Sequence, residues 1–356
     1  MSKKDIKIFV TYKDKHRIFK SDIITPIQTG RAIADEKFEG MIGDDTGDNI
    51  SEKNPRYNEL SAQYWVWKHY EEIGDPEYIG FMHYRRHFMF DSSIDIGNLK
   101  QPLNGLDIYN TDDINMCLSN LSNDNIYKVL KDDIICYAIK PYDVTLMCEN
   151  DFYMREHYLS TISGSKRIIW NSFKNAINKL YPEMNTLFDE FTYGSRMNCF
   201  NMFIMKKNLF FEYSKFCFDI LNEIDNDINF TNFNTQELRF LGYIGEYILT
   251  LYLMKLEKEH QNIKYLDGLF LNNIDKTLLS NIFNIQNIFS ITNSYNHKII
   301  KFLGISIKIK NKNRLLQNEI INRNVELEKM LRTLLVKVSE LQHEIYLLKG
   351  RKNENN

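Results

Sequence analysis

Two adjacent segments do most to limit what this chain can fold into. Residues 58–73, opening Asn58-Glu-Leu-Ser-Ala-Gln-Tyr-Trp-Val-Trp-Lys-His-Tyr70, carry apolar side chains at helical spacing. Gly74-Asp75-Pro76 turns the chain, and Glu77-Tyr-Ile-Gly-Phe-Met-His-Tyr-Arg-Arg86 follows as a short apolar run ending in cations and hydrogen-bond donors. A helix delivering a buried strand is the unit of a layered α/β fold, and a polar cluster at the carboxyl end of such a strand is where ligands bind.

The remaining pattern extends the same architecture. Residues 6–12 read as an opening strand, 22–26 as extended chain, and 40–51 as a loop of turn formers around Gly43-Asp44-Asp45. Strands are expected at 133–139 and 201–205, and helices at 152–157, 168–180, 208–225 and 237–258, with mostly irregular chain over 91–125. Tyr64, Trp65 and Trp67 sit at spacings that favour core packing over sugar stacking.

Beyond the globular part, residues 298–310 alternate Ile, Leu and Phe with Lys. The stretch reads either as a greasy and basic surface for an anionic membrane or as a terminal strand. Ile320, Leu327, Leu334, Leu341 and Leu348 then share one heptad position, and Asn324, Leu331, Val338 and Ile345 the other, a pattern that favours a parallel two-stranded coiled coil over a helix folded back on the domain. Three segments result: a main domain over 1–270, a connector with the basic stretch over 271–314, and a coiled coil over 315–350, making the chain a homodimer.

At 356 residues, 43% hydrophobic and with a net charge of -2, the chain supports a large soluble core and lacks the basic excess that nucleic-acid binding selects for. The opening residues lack a signal-peptide core and no apolar run reaches membrane-spanning length, so a cytoplasmic location is expected. Five scattered cysteines, Cys117, Cys136, Cys148, Cys199 and Cys217, fit reduced thiols. A phosphate-handling hydrolase lacks support: there is no Walker-type loop, no Gly-x-Ser-x-Gly elbow and no His/Asp metal-ligand cluster.

The helix-strand order resembles the corresponding segment of nucleotide-sugar glycosyltransferases of the GT-A type, where an acidic strand tip holds a divalent metal on the donor diphosphate. Four motifs narrow the resemblance: residues 48–68, the 78–88 strand, Asn201-Met-Phe-Ile-Met205 and Gly242-Tyr-Ile-Gly-Glu246. Together they are similar to a bacterial family first catalogued as a domain of unknown function, found in capsule, O-antigen and exopolysaccharide gene clusters and including assigned galactofuranosyltransferases. The resemblance covers roughly residues 6–258. It implies a GT-A-like, Rossmann-type nucleotide-sugar-binding domain, with the coiled coil lying outside it. It also implies transfer of a hexose such as galactofuranose from a UDP-sugar to a lipid-linked acceptor, at the inner face of the plasma membrane.

Here the tip is basic instead of acidic. Arg85 and Arg86 would grip the diphosphate directly, with His83 and Tyr84 as further donors, so that no metal is required. The alternation of an extended tip puts His83 and Arg85 on one side and Tyr84 and Arg86 on the other. The competing reading ties the arginines to Asp44, Asp45 or Asp48. Thr11, Lys13, Gln28 and Arg31 are placed by position around the nucleoside, and His157, Asn198 and Asn201 around the acceptor. Asp44 and Asp45 are runner-up acids, either orienting the sugar and holding Mg2+ or Mn2+, or capping a turn. The family form of the late helix makes Glu246 the base that deprotonates the acceptor, unless it pairs with Arg239. The alternative in another class is a non-catalytic dimeric scaffold of a polysaccharide-assembly complex.

Overall fold

The computed structural model describes residues 5–101, 105–147, 153–161, 166–272, 289–294, 297–302 and 305–310. They fall in two compact units, Met1–Asp275 and Lys276–Asn356.

In the first unit the strands are β1 (Ile6–Tyr12), β2 (Ile24–Gln28), β3 (Ile42–Gly43), β4 (Tyr78–His83), β5 (Arg86–Phe88), β6 (Ile108–Thr111), β7 (Cys136–Ile139), β8 (Tyr142–Asp143), β9 (Arg196–Met197), β10 (Phe203–Lys206), β11 (Ile263–Leu266) and β12 (Gly268–Leu271). The α-helices are α1 (Asn54–Tyr57), α2 (Leu60–Lys68), α3 (Ile114–Asn120), α4 (Asn123–Val129), α5 (Met154–Thr161), α6 (Lys166–Leu180), α7 (Asn185–Thr192), α8 (Lys207–Asp227) and α9 (Phe240–Lys258).

Consecutive residues Ile8, Phe9 and Val10 of β1 are all fully buried, which requires a covering layer on both faces and suits a central parallel strand. β1 pairs in parallel with β2 on one side and β4 on the other. The sheet runs β11-β7-β10-β4-β1-β2-β3, with β10 antiparallel to both neighbours. After β3 the chain therefore crosses back to lay β4 on the free side of β1. This reversal opens a crevice at the carboxyl ends of β1 and β4, the place where open α/β sheets bind ligands.

The core beneath is aromatic. Phe81 of β4 stacks on Phe9 of β1 with ring centroids 5.7 Å apart, and also meets Phe203 of β10 and Phe210 of α8. Each such ring, fully buried, contributes about 1.5–3 kcal/mol of transfer energy, so β1, β4, β10 and α8 are fixed together as one unit. Trp67 of α2 stacks on Phe218 of α8, and Trp65 donates its indole N–H to Thr46 Oγ1. These aromatics are packing residues, as their spacing predicted.

Two local expectations change. The helix expected over 58–73 is shorter, α2 alone, and Asn58, at a φ of 49°, separates it from the preceding α1. The tip after β4 is not extended: Tyr84 and Arg85 form a tight turn, and His83 pairs with Arg86 at the start of β5. His83 and Arg86 are cross-strand partners, and the expected alternation of sides does not hold.

In the second unit β13 (Phe289–Ser294), β14 (His297–Phe302) and β15 (Ile305–Lys310) form an antiparallel sheet. In its register Phe302 pairs with Phe289 and Ile305, and Ile300 with Ile291 and Ile307. The Lys-rich stretch is thus strand. The heptads over 320–348 lie outside the described residues. Among the described residues no helix is long and apolar enough to cross a membrane.

Candidate active site

A cleft of about 660 Å3 occupies the crevice at the end of β1 and β4. Thr11, Lys13 and Asp14 come to it from β1 and the loop beyond, and His83, Tyr84, Arg85 and Arg86 from the hairpin. Asn58 and Glu59 approach from the start of α2, Phe200 from the loop before β10, and Arg239, Tyr243 and Glu246 from the start of α9. A second cleft, of about 490 Å3, lies at the other end of β4 and β10 against Glu77 and Lys206. It lacks the concentration of guanidinium groups.

The guanidinium of Arg86 lies 4.3 Å from the Phe200 ring centroid, and its buried Nε has no partner among the described residues. That of Arg85 rests against the rings of Tyr84 and Phe270 at 5.1 and 5.4 Å. Aromatic faces thus hold both forks, leaving their N–H groups for an anion. The acids that sequence reasoning offered as alternative partners are engaged elsewhere. Asp45 pairs with Lys37 at 3.0 Å, and Asp48 accepts from Tyr64. Asp44 is fully buried and accepts from the Gly30 and Arg31 amides and from the hydroxyls of Ser51 and Ser61.

That environment corrects the reading of Asp44 as a sugar-orienting acid or metal ligand. Both its oxygens are taken by donors that fold the 30–61 region, and it does not line the cleft. Gln28 is likewise structural, donating to Glu36 O and accepting from the Phe38 amide. Arg31 lies 3.9 Å from Asp45, in the same loop network. Among the described residues no group of three or more His, Cys, Asp or Glu is placed to hold a metal ion.

The acceptor-side expectations also divide. His157 hydrogen-bonds Tyr247 at 2.7 Å within an aromatic cluster, and Asn198 donates to Ile139 O. Neither lines the cleft. Asn201 lies beneath it, donating to Glu59 Oε1 at 2.7 Å and to Gly242 O at 3.1 Å. His83 Nε2 lies 2.6 Å from Phe200 O and Nδ1 lies 3.4 Å from Thr11 Oγ1. Burial, reinforced by the nearby arginines against the pull of Glu59, keeps its ring in the neutral range, so it donates to Phe200 and anchors that loop.

Phe200 and Asn201 occupy left-handed backbone at φ 76° and 49°. Non-glycine residues in succession there cost about 1–3 kcal/mol each, and such strain concentrates at functional sites. The start of α9 fits against this loop only because it is small. A Cβ on Gly245 would lie 2.6 Å from Leu60 Cδ1 and 3.1 Å from Asn201 Oδ1, and one on Gly242 would strike the Asn58 amide.

Glu246 follows these glycines. Burial pushes its carboxyl up to about 7, the Glu59 charge adds to the rise, and the Phe200 amide, Arg86 and Arg239 oppose it. Arg239 is a neighbour in the cleft whose Nε reaches Asn58 Oδ1, so the expected Arg239 anchor instead faces α1. Glu59 was not singled out from the sequence. It lies within the 48–68 motif, but nothing in helical spacing says that a residue just before α2 faces a cleft. Arg86, for its part, is held below the usual guanidinium range by burial.

Fold and cleft together define an α/β protein with a basic, partly desolvated crevice at its topological switch point and a carboxyl group poised near neutrality. Residues 7–260 match the family model described as a domain of unknown function, DUF4422. The chain belongs to that family. Its fold resembles the apo structure of WbbM, a bifunctional glycosyltransferase, with a TM-score of 0.66 and 31% sequence identity over 76% of this chain and 46% of that one. The chain thus spans less than half the length of WbbM. No curated protein matches it.

Proposed function

We propose that this chain is a metal-independent glycosyltransferase that moves a hexose, galactofuranose being the leading case, from a UDP-sugar to a lipid-linked oligosaccharide of a surface polysaccharide. The observation that carries the reading is that two guanidinium groups without an ion-pair partner among the described residues, and one carboxyl of raised proton affinity, line the same crevice. Arg85 and Arg86 meet the diphosphate, whose charge grows as the glycosidic bond breaks, and bidentate contacts there strengthen toward the transition state. Glu246 accepts the proton of the acceptor hydroxyl as the new C–O bond forms. Thr11, Lys13 and Thr29 lie where the end of β1 meets the nucleoside. The similarity to WbbM supports glycosyl transfer as the reaction class.

The same proposal places the protein in the cytoplasm, peripheral to the inner membrane face where its acceptors would lie, and makes it a dimer through the heptads over 320–348. Incubation with a panel of UDP-sugars, with and without EDTA, tests it. Release of UDP that survives EDTA is expected with at least one donor. No release from any donor would leave the non-catalytic scaffold.

A further inference from the structure

Glu59 has no place in the chemistry above, yet it lines the same cleft as the hairpin and the start of α9. It sits just ahead of α2, and it acts electrostatically on His83 and Arg86 of the hairpin and on Glu246 of α9. Asn201 is the physical link between the two carboxylates: its Nδ2 donates to Glu59 Oε1 and to Gly242 O, one turn before Glu246. Gly245, immediately before Glu246, has no side chain, and its Cα faces the amide of Asn201. Glu59 is thus tied through one amide to the turn that carries the proposed base.

We infer that Glu59 is a positioning residue for Glu246: tied through the Asn201 amide to the Gly242 carbonyl, it fixes the first turn of α9 and holds its own carboxyl in the cleft that Glu246 lines. This rests on the functional reading only in calling Glu246 the base. A carboxylate in a desolvated site disfavours ionisation of the carboxyl group beside it. Glu59 has the Asn201 amide. Glu246 is faced by the Phe200 backbone amide, the more distant charges of Arg86 and Arg239, and the Cys199 thiol. A stronger base near neutral pH is what proton abstraction from a sugar hydroxyl requires.

Carbon-13 NMR of the full chain carrying labelled glutamate carboxyls tests this without any substrate. The Glu246 resonance, identified by its loss in Glu246→Gln, should titrate near neutrality. In Glu59→Gln its midpoint should fall by about one pH unit or more. Asn201→Ala cuts the tether between Glu59 and the first turn of α9, so the Glu59 charge is no longer held near Glu246 and the Glu246 midpoint should also fall. That second variant carries the test should the first fail to fold. An unchanged Glu246 midpoint in a folded variant overturns the inference. Because the titration needs no turnover, it can succeed even if Glu246→Gln keeps full activity, which would refute the functional reading alone.

Discussion

Arg86 illustrates how a residue's chemistry is set by what surrounds it. Half-buried, with an orphan Nε and a phenyl face at its back, it lines the cleft, and among the described residues it forms no ion pair with a carboxylate. Arg85→Ala or Arg86→Ala should each lower kcat by about 10²–10³ while leaving Tm nearly unchanged. Arg86→Lys should not restore the rate, since an ammonium lacks the fork. Large destabilisation with retained turnover would show the arginines to be structural. Glu246 carries the opposite cost. Its carboxyl is pushed up to about 7 from an ordinary 4.5, so the fold binds a proton more tightly than the unfolded chain between those values, and stability falls as pH rises through that window. Glu246→Gln should therefore raise Tm above pH 7, by roughly 2–4 °C for about 1 kcal/mol, while lowering turnover about 10²–10⁴-fold. In the wild type the rate should fall as pH drops below about 7. A pH-independent rate down to pH 5 would remove Glu246 from the chemistry. The cationic tip and the late Glu were legible in the sequence because residue type and motif position announce them. Glu59 and Phe200 were not, since their importance comes from which neighbours the fold brings them.

At the scale of elements, the hairpin and the start of α9 shape the cleft. The strand ending at His83 could be read from its apolar run, but the turn at Tyr84-Arg85 lacks the Gly or Asn that usually signals one. Its cause is tertiary: β12 waits to pair with β5, and its Phe270 lies against both arginines. The break between α1 and α2 is similar, with Asn58 supplying a left-handed residue that no helical periodicity reveals. Gly245→Ala should cost about 1–3 kcal/mol by forcing α9 away from Leu60 and Asn201, and should lower turnover beyond what the stability loss explains. Equal losses in Gly245→Ala and in a core variant of matched stability would mean that the glycine serves packing alone. Asp44→Ala should be more damaging, because it strands two backbone amides and two hydroxyls without an acceptor. Thermal melts decide that comparison.

For the whole molecule, the α/β class followed from alternating periodicities, and the sheet order that makes the crevice did not. Which side of β1 receives β4, and the antiparallel insertion of β10, depend on long-range pairing that local pattern does not encode. For the 298–310 stretch both a membrane-facing surface and a terminal strand could be read, and only its pairing with 289–294 singles out the strand. Truncation before Leu315 should yield monomers in sedimentation if the heptads supply the dimer contact, and persistent dimers would refute that. The claim that fixed cations replace a metal at the strand end is tested most directly by the equilibrium affinity for UDP in the presence of EDTA. Wild-type protein should bind, and each arginine-to-alanine change should weaken binding by roughly 10- to 100-fold. Binding that vanishes in EDTA and returns with Mn2+, or that is indifferent to both arginines, would contradict it.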